Sequence, residues 1–224
     1  MKFSFNIENV KAFIPEEFKD SFSGTSLEKY CSVFKLDHIP SIERRRLSKG
    51  TKCVLSMLEN IEQPLVYSSY KGEINRSLDL LYSLAESGVV SPTSFSLSVL
   101  NAVPAVSSIM YKNHNDITAV SSSPSLENAL LQAYINLCDT NKNQLVISYY
   151  EGAYKEYLKQ DNLYCCVSME MSFGNNITIE KESSDCKYDL VSKISEIEFL
   201  KNYENKINYT ITSDYSKWMW HFND

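Results

Sequence analysis

Glycine is scarce in this sequence, six in 224 residues. Loops that cradle phosphates with backbone amides need several, so a nucleotide cradle is not expected. No dinucleotide fingerprint, Walker loop, G-x-S-x-G elbow or H-E-x-x-H pair occurs. Histidine is rarer still. His38, His114 and His221 stand in unrelated contexts, and His114 in KNHND reads as a solvated loop residue. The cysteines, Cys31, Cys53, Cys138, Cys165, Cys166 and Cys186, form no C-x-x-C pair and have no His at ligand spacing. They read as free, mostly buried thiols, with no metal or cofactor expected.

Positive charge is also short. Lys and Arg number 22 against 28 Asp and Glu, for a net charge of −6. Nucleic-acid binding wants clustered cations and is disfavoured. The one dense basic run, Arg44, Arg45 and Arg46, reads as a helix start or an ion-pair cluster rather than a specific anion site. No formal charge at all falls between Ser87 and Tyr111. Pro92, Asn101, Pro104 and six serines after Ser87 make that stretch too polar for a membrane span, so a buried core segment is expected. The start, MKFSFNIENVKAFIPEEF, alternates apolar with polar residues and has no continuous apolar run. It reads as no signal peptide, which makes the cytoplasm the expected location.

What remains is an ordinary globular composition, 43% hydrophobic and 22% charged, in a length that suits one domain. Residues 3–14 read as a strand. A polar stretch to about residue 42 carries turn signals at Ser23-Gly24 and Ile39-Pro40. A helical pattern spans 42–57, a short buried strand 64–70, and a helix 75–86 closed by Gly88. In that last helix Leu78, Leu81, Tyr82 and Ala85 share one face. The uncharged block predicts a helix over 94–111, interrupted or kinked near Pro104. A strand follows at 117–121.

Residues 125–138 form the most informative helix. Leu126, Ala129, Leu130, Ala133 and Leu137 make one apolar stripe, and Leu131, Ile135 and Cys138 a second. Asn128, Gln132 and Asn136 leave only a narrow polar edge, the mark of a buried helix. Strands at 144–150 and 163–173 come next, the latter holding Cys165 and Cys166. Weaker signals give a strand at 177–180, a helix at 190–203 and a strand at 207–211. Strands alternating with helices imply an α/β fold whose mixed sheet contains parallel pairs.

The block SPTSFSLSVLNAVPAVSSIMY, from Ser91, resembles a segment of the β-ketoacyl synthases, condensing enzymes of the thiolase-like fold. SIERRRLSKGTKCVLSML and PLVYSSYKGEINRSLDLL upstream, and ITAVSSSPSLENALLQAYINL downstream, resemble the neighbouring family segments in the family's order. The likeness covers about residues 40–150. Trp218, Met219 and Trp220 near the end are similar to the close of a short subfamily, truncated chain-length factors of aryl polyene biosynthesis. The resemblance implies a thiolase-like half-fold over residues 1–224. In it a mixed sheet holds a buried central helix and flanking helices, and residues 160–224 complete and cap it.

In active synthases a Cys sits at the mouth of that helix, where the dipole and backbone amides favour a thiolate. The matching position here is Ser123, with Ser121 and Ser122 as one- or two-residue slips. A hydroxyl is a poor nucleophile without a base. The family's two histidine motifs, carried by a second half, do not occur. The resemblance therefore implies a non-catalytic partner of an active β-ketoacyl synthase, meeting acyl carrier protein through that complex. The strand Ile117, Thr118, Ala119, Val120 would pair across the dimer axis. Phe95, Ser98, Val99, Asn101, Ala102 and Val103 would lie at or near the interface, and Ser94 would face the partner's acyl tunnel. Two other readings stay open. One is an enzyme using Ser121–Ser123 or a free Cys for acyl transfer or thioester hydrolysis. The other is a scaffold that binds acyl carrier protein.

Overall fold

A computed structural model describes residues 1–18, 30–153, 163–184, 194–213 and 215–223. The turn expected at Ser23-Gly24, Cys186 and the start of the helix expected from residue 190 lie outside the described residues. The chain begins with β1 (Lys2–Phe13), then α1 (Ser41–Arg44), α2 (Lys49–Met57), β2 (Leu65–Ser68) and α3 (Ile74–Ser87). Next come α4 (Pro92–Ser96), α5 (Ala102–Met110), β3 (Ile117–Val120) and α6 (Ser125–Thr140). It closes with β4 (Gln144–Glu151), β5 (Tyr164–Ser183), α7 (Ser195–Tyr203), β6 (Tyr209–Ser213) and β7 (Ser216–Phe222).

Seven strands form one mixed sheet in the order β3-β2-β4-β5-β7-β6, with β1 also paired to β5. Both parallel pairs involve β2, with β3 on one side and β4 on the other. The remaining pairs are antiparallel. Side chains alternate across a strand, and here they feed two cores. Leu65, Tyr67, Leu145, Ile147 and Tyr149 pack with α2 and Val103 of α5. Val66, Val146 and Val167 pack on the other face with Leu126, Ala129, Leu130, Ala133 and Leu137 of α6. The sheet is thus a middle layer, with α2 and α5 on one side and α6 and α7 on the other. Phe199 and Leu200 of α7, with Trp218 and Trp220 of β7, pack against the same core as α6. Of the second apolar stripe of α6, Leu131 is half-buried while Ile135 and Cys138 are exposed.

Several elements depart from the sequence reading for local reasons. The helix expected over 42–57 is two, because Ser48 is an N-cap whose hydroxyl accepts from the Thr51 amide and starts α2 afresh. Arg44 therefore ends α1 instead of opening a helix. It donates to the Ile39 carbonyl at 3.0 Å and pairs with Asp37 at 3.6 Å. In the uncharged block the break falls at 97–101 and not at Pro104, which sits in the first turn of α5, where a missing N–H costs nothing. The strands expected at 163–173 and 177–180 are one. Its pairing with β1 slips between Phe5 and Asn6, and the Asn6 carboxamide oxygen accepts from the Asn175 and Asn176 amides to carry the strand through. Gly88 closes α3 with φ +70°, as a left-handed cap requires. Yet the apolar face of α3 is not in the core: Leu81 is 62% and Tyr82 53% exposed. Nor is the uncharged block a buried core segment throughout, since its first half, with Val89, Phe95 and Val99, is exposed. Among the described residues no helix is long and apolar enough to cross a membrane.

Candidate functional site

The turn from β3 into α6 brings the candidate serines to the mouth of the buried helix. Ser121 is exposed and donates to the Tyr70 carbonyl at 3.2 Å. Ser123 is half-buried, with its hydroxyl 3.0 Å from that of Ser213. Ser122 and Ser123 border an open groove of about 660 Å³ with Tyr70, Asn128, Lys181 and Tyr215. Among the described residues no histidine borders it. His221 pairs with Thr178 at the far end of β7 from Ser216, near Glu180. His114 is in the exposed turn before β3, and His38 lines a separate cavity beside Tyr111. Lys181, which borders the groove with Glu182, lies over the Trp218 ring at 4.4 Å. The three histidines and the serine turn are not brought together.

Deeper in, the helix mouth is filled by two carboxyl groups. Glu127, in the first turn of α6, is fully buried, and Glu196, in the first turn of α7, is 1% exposed. They exchange serines between helices. Ser125 of α6 and Ser148 of β4 donate to Glu196 Oε1. Ser195 of α7 donates to Glu127 Oε2, and the Trp220 indole donates to Glu127 Oε1 at 2.9 Å. Burial pushes Glu127 up to about 7, helped slightly by Glu196, while the bonds from Ser195 and Trp220 pull it down. Burial raises Glu196 too, opposed by Ser125 and Ser148. Helix N-termini carry positive potential from unpaired amides. Here that potential is spent on the chain's own carboxyl groups. The sequence reading passed over Glu127 and Glu196. The available signal was one acidic residue among the apolar stripes of α6, three positions after a proline.

A second polar cluster sits on the opposite face of the sheet. Glu73 and Glu151 are each 3% exposed, and Lys49 is 3.6 Å from Glu151. Burial first, then the charge of Glu151, pushes Glu73 up to about 7. Gly50 packs tightly beside it: a Cβ there would lie 2.7 Å from Glu73 Oε1, so the carboxyl would have to move. Glu73 and Glu151 border a cavity of about 590 Å³ whose other walls include Arg45, Arg46, Lys52 and Ser94.

The expected interface residues divide. Ala102 is 7% exposed, and Val103 is fully buried in the core beside Gly50. Phe95 (61% exposed) and Val99 (45%) are on the surface, Asn101 is exposed, and Ser98 is half-buried with its hydroxyl on the Phe95 carbonyl. Ser94 is half-buried. Strand β3 pairs only with β2 among the described strands, so its other edge is open. Ile117 is exposed there, with Thr118, Ala119 and Val120 half-buried.

The structure thus has a mixed sheet with a helix buried behind a serine turn. The family model described as "Beta-ketoacyl synthase, N-terminal domain" matches residues 23–221. The chain belongs to that family. Among solved structures it is similar to a chain from the ketosynthase ApeO in complex with its chain length factor ApeC, from Xenorhabdus doucetiae. The identity is 23%, the TM-score 0.78, and the match covers 98% of this chain and 99% of that one. It is similar at 12% identity and TM-score 0.57 to a chain of AntDE:AntF, a type II polyketide synthase acyl-carrier protein in complex with its ketosynthase. That match covers 82% of this chain and 70% of the other. The ishigamide ketosynthase/chain length factor matches at 12% identity and TM-score 0.53, over 67% of this chain and 53% of that one. No curated protein sequence matches.

Proposed function

We propose that this chain is a non-catalytic chain-length-factor subunit. In this reading residues 1–224 act as one ketosynthase N-terminal-like domain. It forms a heterodimer with an active β-ketoacyl synthase and shapes the tunnel for acyl or polyene chains delivered by acyl carrier protein. The observation that carries this reading is the helix mouth. Where a condensing enzyme needs a nucleophile, a base and free amides for an oxyanion, this chain has serines held by Tyr70 and Ser213, no histidine among the described neighbours, and Glu196 in place. Two further features support it. The open edge of β3 offers backbone groups that a partner strand would satisfy. The exposed Phe95 and Val99 offer apolar contact. Ser94, small and half-buried, leaves room for a long or stiff chain.

The test is reconstitution. The chain mixed with an active β-ketoacyl synthase gives a 1:1 heterodimer whose products differ in length from those of the synthase alone. Persistence of the chain as a monomer with every synthase tried would sink the reading. A stoichiometric acyl adduct on Ser121, Ser122, Ser123 or a cysteine of the isolated chain would instead favour the enzyme alternative.

A further inference from the structure

Helix α3 is mounted with its polar side toward its own chain. Arg76, Asp79, Leu80 and Ser83 line the 590 Å³ cavity against α2 and α4. The apolar stripe lies on the other side. Leu81 is 62% exposed and Ala85 exposed, Leu84 flanks them at 49%, and Val89 follows the Gly88 cap at 67%. Tyr82 is on the same stripe. A surface helix normally turns its apolar stripe to the core. Helix α3 instead packs chiefly on α4, and the two form an arm.

We infer that this outer stripe of α3 is a docking face for the active synthase subunit, a second contact beyond the β3 edge. The inference rests on the reading of the chain as a synthase-bound subunit. Area favours this occupant. A stable interface buries about 800 Å² on each partner, and the four residues of β3 span only about 13 Å of edge. The edge alone is too small, and the arm supplies what it lacks. Beyond the end of α3 the surface stays free of charge, as interface centres tend to be. No charge occurs between Glu86 and Lys112 although much of that stretch is exposed. In the chain the arm is followed by α5, which contacts β3.

The experiment uses a β-ketoacyl synthase that forms a 1:1 complex with the full wild-type chain. Leu81→Asp should weaken that complex roughly 30-fold or more in a titration, with the melting temperature of the free chain unchanged, because the residue is exposed. Leu81→Ser serves as a second variant should the charge disturb folding. Hydrogen exchange should show residues 78–89 protected only when the synthase is present. Wild-type affinity in both variants, or protection of 78–89 arising from self-association of the chain without synthase, overturns the docking face while leaving the heterodimer standing. Failure of any synthase to bind the wild-type chain takes down both the docking face and the heterodimer.

Discussion

Helices α6 and α3 carry the same kind of signal and meet opposite fates. Both have apolar residues at helical spacing and both end in a left-handed cap, Asn141 in one and Gly88 in the other. In α6 the main stripe is fully buried between the sheet, α7 and the two tryptophans of β7. In α3 only Asn75 is buried, and the apolar stripe faces outward. Periodicity reports that a face is apolar. It does not report whether the chain itself or a second chain covers that face.

The comparison breaks most readily by truncation. Leu130→Ala, in the fully buried stripe of α6, should destabilise the free chain by about 2–5 kcal/mol, by lost burial and the cavity left behind. Leu84→Ala, on the exposed side of α3, should change it by about 0.5 kcal/mol or less. Denaturant unfolding of the two variants measures both, and equal losses would mean that α3 has packing as deep as that of α6.

The mouth of α6 sharpens the contrast through pH. Burial raises Glu127 from its ordinary 4.5 to about 7, so the folded chain keeps a proton that the unfolded chain releases. That contribution to stability is fully present below about pH 4.5 and is lost as pH rises through about 7. Each such group can contribute a slope of up to about 1.4 kcal/mol per pH unit. Glu127→Gln should flatten the loss of stability between about pH 4.5 and 7, read from melting temperatures across that range. A variant that keeps the wild-type slope would assign the titration to Glu73 or Glu196 instead. Helix α3 has no buried acid within it, and Leu84→Ala should leave the pH profile as it is.

On the arm, Ser94→Phe should shift the products of the reconstituted complex toward shorter chains without dissociating it, measured by mass spectrometry of the released acyl groups. An unchanged distribution would leave Ser94 a packing residue. The smallest effect is expected where the family would have its nucleophile. Ser123→Cys should leave the isolated chain unable to decarboxylate or condense a malonyl thioester, because Glu196 fills the helix mouth and no described histidine is near. Turnover by that variant would show that only the thiol was missing.

Much of the fold was legible because it depends on short-range patterns. The cap at Gly88, the buried stripe of α6 and the strands around Tyr67 and Ile147 follow from local periodicity and turn chemistry. Strand β7 was not read from WMW, whose tryptophans find their place only against α6 and α7. The site was half legible. The serine turn could be located by likeness to a family, but Glu127 and Glu196 stand 69 positions apart and are joined only by folding. Likewise the burial of Val103 beside Gly50 depends on how α5 packs on α2.

The sequence by itself determined that the chain has a ketosynthase-type order of elements and a buried helix after a serine turn. Those properties belong to residue identity and spacing. Tertiary structure alone decided that the helix mouth is closed by reciprocal serine–carboxyl bonds, that β3 is an edge among the described strands, and that α3 shows its apolar side to the outside. Each of these turns on which distant segments share a boundary. Burial and hydrogen-bond satisfaction are properties of that boundary and not of any one residue.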